Sequence, residues 1–255
     1  MILAIDIGNS NIVLGCLEDS QILFEARMAT DRIKTADQYC AELKTMLSLF
    51  HLEPTSIEGS ILSSVVPPVQ QVFVRAVERL TGKPCLTVGP GLKTGLNIKI
   101  DNPAQAGSDL IVGAVAALEC YGTALCLIDL GTATTIAAIG RDGAFLGGSI
   151  APGVMLSLNA LSSGTAQLPA ISLEAPRKAI GTNTVDSMRS GLLLGSASML
   201  DGMVARMEEE LGYPTRVIAT GGLAKFIAPL CKREITVDDN LLLKGLDILY
   251  RRNRK

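Results

Sequence analysis

A short apolar run that ends in Asp-x-Gly occurs twice in this sequence, and the residues beyond the second copy repeat the pattern of those beyond the first. Ile2-Leu3-Ala4-Ile5-Asp6-Ile7-Gly8-Asn9-Ser10 opens the chain. Leu125-Cys126-Leu127-Ile128-Asp129-Leu130-Gly131-Thr132-Ala133 comes later, with its aspartate 123 positions after the first. By length and composition each run is a buried strand. Each ends on a carboxylate beside a glycine, where backbone N–H groups can approach a ligand closely, and that pairing suits a metal–phosphate ligand. Two such copies facing each other would make a cleft.

The surrounding pattern supports a duplication. Strands are expected at Ile2–Asp6, Asn11–Leu17 and Gln21–Met28, with Glu18-Asp19-Ser20 as a hairpin turn. Tyr39, Leu43, Met46, Leu47 and Phe50 share one helical face. A short strand at Ile61–Ser64 precedes a helix opened by Pro67-Pro68 and running through Leu80, and Ser108–Tyr121 reads as another helix. The second half restarts with strands Ala124–Leu130, Thr134–Ile139 and Ala144–Ile150, and with Arg141-Asp142-Gly143 as the turn. Helices at Gly153–Leu161 and Thr184–Leu211 come next, then strands Arg216–Ala219 and Glu234–Val237, and a helix ending near Tyr250. Three strands and then helices, twice over, predict an α/β fold of two similar lobes, 1–121 and 122–255, each a mixed sheet flanked by helices.

Composition narrows the function classes. Of 255 residues, 48% are hydrophobic and 19% charged, which is globular. A net charge of −2 gives no electrostatic case for nucleic acid or an anionic membrane. Mean hydropathy is +0.36, yet no apolar run approaches the roughly 20 residues of a spanning helix. The chain enters a strand at once, without a signal-like segment, so a cytoplasmic location is expected. Cys16, Cys40, Cys85, Cys120, Cys126 and Cys231 form no C-x-x-C pair and are expected to be buried structural thiols. His51 is the single histidine and reads as a surface or capping residue, so proton chemistry rests on carboxylates.

No stretch supplies the G-x-x-x-x-G-K-[ST] of a P-loop, and Gly8 to Val13 does not comply with G-x-G-x-x-G. What remains is a β-hairpin phosphate clamp, one in each half. This duplicated hairpin resembles the actin/sugar-kinase/Hsp70 ATPase superfamily, a ribonuclease H-like fold. Within it the chain closely resembles the type III pantothenate kinases. The resemblance is carried by Asp6-Ile7-Gly8-Asn9-Ser10-Asn11, Ser63-Ser64-Val65-Val66-Pro67, Asp101-Asn102-Pro103 before Gly107-Ser108-Asp109, and Asp129-Leu130-Gly131-Thr132-Ala133-Thr134-Thr135. It continues through Gly147 to Gly153, Thr165 to Pro169, Gly181-Thr182-Asn183-Thr184 and Thr220-Gly221-Gly222.

The resemblance implies an enzyme that phosphorylates pantothenate with ATP, the first step toward coenzyme A. Asp6, Ile7, Gly8, Asn9, Ser10, Asn11, Ile12 and Val13 would form the first ATP segment, with Asp6 holding Mg²⁺ through water. Thr132 would be the ATP ligand of the second half. Asp129 would hold a monovalent cation, K⁺ or NH₄⁺; from its residue type alone it could equally be a second Mg²⁺ ligand. Gly107, Ser108, Asp109 and Leu110 would line the pantothenate pocket, and Thr184 would reach it from the other subunit of a homodimer. The apolar helix Met188 to Met207 carries more hydrophobic positions than one buried stripe requires, which fits a dimer or an interior helix.

Asp109 is the expected catalytic base. Transfer of a γ-phosphoryl group to an alcohol needs an acceptor for the hydroxyl proton, and a carboxylate at a helix start can serve. The helix N-terminus is expected to stabilise its charge and lower its basicity, and the competing role is a helix cap. Two positions depart from the family pattern. Leu110 stands where an arginine is usual, and Ile100 where a tyrosine is usual. Loss of a charged pair with an anionic acceptor costs roughly 2–5 kcal/mol unless another cation such as Lys99 takes over. Two alternatives therefore accompany pantothenate phosphorylation: a kinase for a less acidic small alcohol, and a nucleotide-binding regulator without turnover.

Overall fold

The structure is a computed structural model that describes residues 1–254; residue 255, the end of the expected second lobe, lies outside them. In the first half, strands β1 (Ile2–Ile7), β2 (Asn11–Glu18) and β3 (Gln21–Ala29) precede helix α1 (Ala36–Leu49), β4 (Gly59–Ser64), α2 (Pro67–Thr81), β5 (Cys85–Thr87) and α3 (Ser108–Tyr121). In the second half, β6 (Leu125–Leu130), β7 (Ala133–Ile139) and β8 (Phe145–Pro152) precede α4 (Val154–Gly164), α5 (Thr184–Arg189) and α6 (Gly195–Leu211). Then come β9 (Arg216–Thr220), α7 (Ala224–Ile227), β10 (Thr236–Val237) and α8 (Leu241–Asn253). The chain forms two compact units. The first comprises Met1–Leu96, Asn102–Glu119 and the segment from Asn240 onward; the second comprises Asn97–Asp101 and Cys120–Asp239.

The first sheet runs in the order β3-β2-β1-β4-β5, with β1 antiparallel to β2 and parallel to β4. Both of its faces are covered, so β1 reads as a continuous apolar run rather than an alternation. Leu3, Ile5 and Ile7 pack with Tyr39, Leu43 and Leu47 of α1 and Phe73 and Val77 of α2. Ile2 and Ala4 face the other way, into a cluster with Ile61, with Val112 and Val115 of α3, and with Leu243, Leu246 and Leu249 of α8. Side chains alternate along a strand, so Asp6 shares the α3 face with Ile2 and Ala4. Helix α1 starts at a capping box between Thr35 and Gln38 and is succeeded by His51, exposed and at φ 57 in the turn.

The second sheet repeats the arrangement in the order β10-β9-β6-β7-β8, three antiparallel strands continued outward from β6 by parallel partners. Cys126, Ile128 and Leu130 bury against Leu158 of α4 and Leu200 and Val204 of α6. Two α/β units of the same strand order are what the doubled motif implies.

Three details differ from the sequence reading. The boundary expected at 121/122 misses that α8 belongs to the first unit, because its Leu243, Leu246 and Leu249 complete the cluster under β1. A side chain at Gly59 would overlap the Tyr250 ring, so that strand and α8 are fitted together closely. The long helix expected over 184–211 is interrupted by a π-helical turn, Ser190–Leu194. Among the described residues the cysteines form no disulfide, but only Cys16 and Cys126 are buried and Cys120 is exposed. Among the described residues no helix is long and apolar enough to cross a membrane.

Candidate active site

In the first unit the turn between β1 and β2 is closed by Gly8 N–H donating to Asn11 O at 2.9 Å. Asn9, Ser10 and Asn11 are exposed on it, whereas Ile7 and Ile12 are fully buried in the core, so only their backbone can meet a ligand. Asp6 lies just before this turn with 9% of its surface exposed. Its parallel partner across β1 and β4 is Ser63. Ser63 Oγ donates to Ser108 Oγ at 3.0 Å, and Ser108 Oγ in turn donates to Ser64 O at 2.9 Å while accepting from Ser64 N–H at 3.1 Å. The first residue of α3 is thereby stapled to the end of β4. Asp6 and Asp109 arrive at the same end and on the same face of one sheet, although 103 residues of sequence separate them.

Asp109 is half-buried, and its Oδ1 accepts from Leu110 N–H at 2.8 Å. An ideal Cβ on Gly107 would lie 2.5 Å from that Oδ1, so the glycine leaves the space the carboxylate occupies. Burial pushes the Asp109 carboxyl above the usual carboxylate value, and the backbone hydrogen bonds offset this only in part. This reverses the lowering expected at the helix N-terminus: desolvation outweighs the backbone hydrogen bonds made there. A carboxylate with a raised pKa is the better proton acceptor.

The chain leaving β3 closes over the first turn. Thr30 N–H donates to Ser10 O at 3.0 Å, Thr30 Oγ1 donates to Gly8 O at 2.7 Å, and Arg32 Nη2 donates to Asn9 Oδ1 at 3.2 Å. Sequence reasoning passed over Thr30 and Arg32, because they lie outside the glycine motif; the only signal was that β3 must run beside β2.

In the second unit the turn is one residue tighter, with Gly131 N–H donating to Ala133 O at 3.1 Å. Thr132 is exposed on it, and its carbonyl accepts from Gly153 N–H at 3.1 Å. Asp129 is half-buried and sits opposite Thr135 of β7 and Thr220 of β9, so the three side chains share a face. An ideal Cβ on Gly221, at φ +97, would lie 2.5 Å from Asp129 Oδ1. The buried Thr135 Oγ1 has no hydrogen-bond partner among the described residues. A glycine-lined carboxylate beside an orphaned hydroxyl is an oxygen-donor set suited to a weakly hydrated cation.

Thr184 is exposed at the start of α5 and lines a cavity of about 710 Å³ with Leu161, Leu168, Asn183, Met188 and Leu192. Lys99 does not replace the missing arginine: its Nζ pairs with Asp142 at 2.7 Å on the surface. Leu110 is half-buried in the first unit, and Ile100 packs near Gly147 in the second.

The sequence model of the family described as type III pantothenate kinase matches residues 2–206. A type III pantothenate kinase of Halalkalibacterium halodurans is 43% identical over 253 residues, covering 99% of this chain and 100% of that protein. Among solved structures, a protein described as a Baf family transcriptional activator from Campylobacter jejuni superposes with a TM-score of 0.64 at 18% identity, covering 99% and 98% of the two chains. A polyphosphate/ATP-glucomannokinase from Arthrobacter gives 0.53 at 15% identity, covering 99% of each. These structural likenesses establish the actin-like ATPase fold, and the sequence matches establish more: the chain belongs to the type III pantothenate kinase family.

Proposed function

We propose that the protein phosphorylates pantothenate with ATP to give 4'-phosphopantothenate, with Asp109 as the general base. The observation that carries this is the pairing of Asp6 and Asp109 at one end of the first sheet, the second with its basicity raised by burial. Asp109 takes the proton of the acceptor hydroxyl; the freed oxygen bonds to the γ-phosphorus as the bond to the β–γ bridging oxygen breaks, and ADP leaves. The transition state is loose, so orientation and charge neutralisation contribute more than base strength. The turn Gly8–Val13 holds phosphates, and Thr132 has the corresponding role in the second unit. Asp6 would hold Mg²⁺ through water and Asp129 would hold K⁺ or NH₄⁺, with Thr135 Oγ1 beside it. Such ions offset the negative charge of the phosphates when bound.

ADP release coupled to an optical readout tests the reading. Turnover is expected with pantothenate, and faster in potassium than in sodium buffer; turnover that needs no pantothenate, or another alcohol in its place, overturns it. Because the folded Asp109 carboxyl titrates above an ordinary aspartate, turnover is expected to fall as pH falls through that raised value. A second acceptor, a less acidic alcohol, is favoured by one observation alone: Leu110 offers no charge to a carboxylate. Leu110→Arg is expected to lower the KM for pantothenate by about tenfold, the scale of a charge-assisted contact. An unchanged KM would show that the acceptor's carboxylate binds elsewhere.

A homodimer fits the outer face of α6. Within the apolar stretch Met188 to Met207, Met199, Met203 and Met207 pack against the second core. Gly191, Gly195, Ser198 and Gly202, at helical spacing, leave an exposed face of small residues that permits close approach of a second helix. Sedimentation of the wild type and of Gly195→Leu reads this directly: dimer for the first, monomer for the second.

A further inference from the structure

The phosphate turn Gly8-Asn9-Ser10-Asn11-Ile12-Val13 contains neither lysine nor arginine. Phosphoryl transfer relies on fixed positive charge near the phosphates, which a P-loop obtains from its own lysine. A cationic side chain does reach this turn from the next strand connection. Beyond Ala29 the chain is tied to the turn by Thr30, which takes up the carbonyl oxygens of Gly8 and Ser10. Those oxygens carry partial negative charge that would oppose an anion. Two residues later Arg32 is exposed, with Nη2 donating to the Asn9 amide oxygen at 3.2 Å.

The partner matters. Arg27, on the same hairpin, pairs with Glu25 at 3.0 Å, and Arg79 pairs with Asp37. No carboxylate of the described residues pairs with Arg32; a neutral amide holds it instead. No ion pair therefore ties up its guanidinium, and its remaining N–H groups form a fork that matches two phosphate oxygens at once.

We propose that Arg32 contacts the phosphates of ATP, carried to the turn by Thr30 and oriented by Asn9. This rests on the reading that Gly8–Val13 is the phosphate turn. The test compares wild type with Arg32→Ala, Arg32→Gln, Arg32→Lys and Arg27→Ala, measuring steady-state kinetics, MgATP affinity by calorimetry and thermal melting. Arg32→Ala is expected to lower kcat/KM for ATP about 10²-fold, the usual scale for losing one preorganised electrostatic contact. Its KM for pantothenate and its melting temperature should stay near wild type. Arg32→Gln keeps a donor for Asn9 but no charge, and should be as impaired as Arg32→Ala. Arg32→Lys keeps the charge but loses the fork and should recover only part of the loss, and Arg27→Ala should match wild type.

If Arg32→Ala retains kcat/KM and MgATP affinity within twofold, the proposal fails. It also fails if Arg32→Gln restores activity, since a hydrogen bond to the turn, and not charge, would then be what Arg32 supplies. A wild type that binds MgATP but leaves pantothenate unphosphorylated would overturn the acceptor reading instead; Arg32 would then be judged on MgATP affinity alone.

Discussion

Asp109→Asn is expected to lower turnover with pantothenate by about 10³-fold, within the range a positioned general base supplies, while MgATP affinity changes little. The same substitution should raise stability at neutral pH. Burial raises the folded pKa of Asp109 above its unfolded value, so ionising it works against folding. The wild type therefore loses stability as pH rises from the unfolded toward the folded value, and remains penalised above both. Asparagine has no charge to desolvate. The melting temperature of Asp109→Asn should exceed that of wild type at pH 7, and the gap should close at pH values below an ordinary aspartate pKa. A variant that is slower and more stable is what a base held at a cost in stability predicts; one with wild-type rate removes Asp109 from the chemistry.

Gly153→Ala should damage both stability and nucleotide use. At φ −69 and ψ 160 an alanine backbone is unstrained there, so the conflict is purely one of space. The new Cβ would overlap the carbonyl oxygen of Thr132 and lie 2.6 Å from that of Gly131. Both are backbone atoms of the second phosphate turn, and neither can swing aside as a side chain would. The turn must move, and the 3.1 Å hydrogen bond from Gly153 N–H to Thr132 O moves with it. A loss of roughly 3 kcal/mol is expected, at the upper end for an overpacked site. It should be read as a lower denaturation midpoint together with a raised KM for ATP. Gly164→Ala, which meets nothing within 4 Å, is the control and should leave both unchanged. Equal midpoints for Gly153→Ala and wild type would mean that the second turn is not held as tightly as this packing implies.

Much of this was legible from residues alone because the relevant signals are local. The apolar runs, the hairpin turns and the Pro67-Pro68 helix start each act over a few positions, and α3 begins and ends where the pattern placed it, at Ser108 and Tyr121. Asp6 and Asp129 stand out as candidates because each lies near a strand end, two residues before a glycine. What escaped was set by pairing over long sequence distances. The hydroxyl staple from Ser108 to Ser63 and Ser64 joins residues about 45 apart and has no periodic signature. The direction of the Asp109 shift was misread because a helix start is visible in sequence while burial from a second element is not. Arg32 was missed for the same reason: its importance comes from which strand lies beside the turn.

The placement of α8 bears on how the molecule is made. Residues 120–239 of the second unit are one uninterrupted stretch, and with Asn97–Asp101 they leave the ribosome before the segment from Asn240 does. The first unit, though it begins the chain, must wait for Leu243, Leu246 and Leu249 to cover Ile2, Ala4 and Ile61. During synthesis the usual order, in which the N-terminal domain finishes first, is inverted. The nascent first sheet spends that interval with this apolar face covered by α3 alone and the α8 side of it open, so the growing chain is most exposed to chaperone capture or aggregation just before α8 emerges.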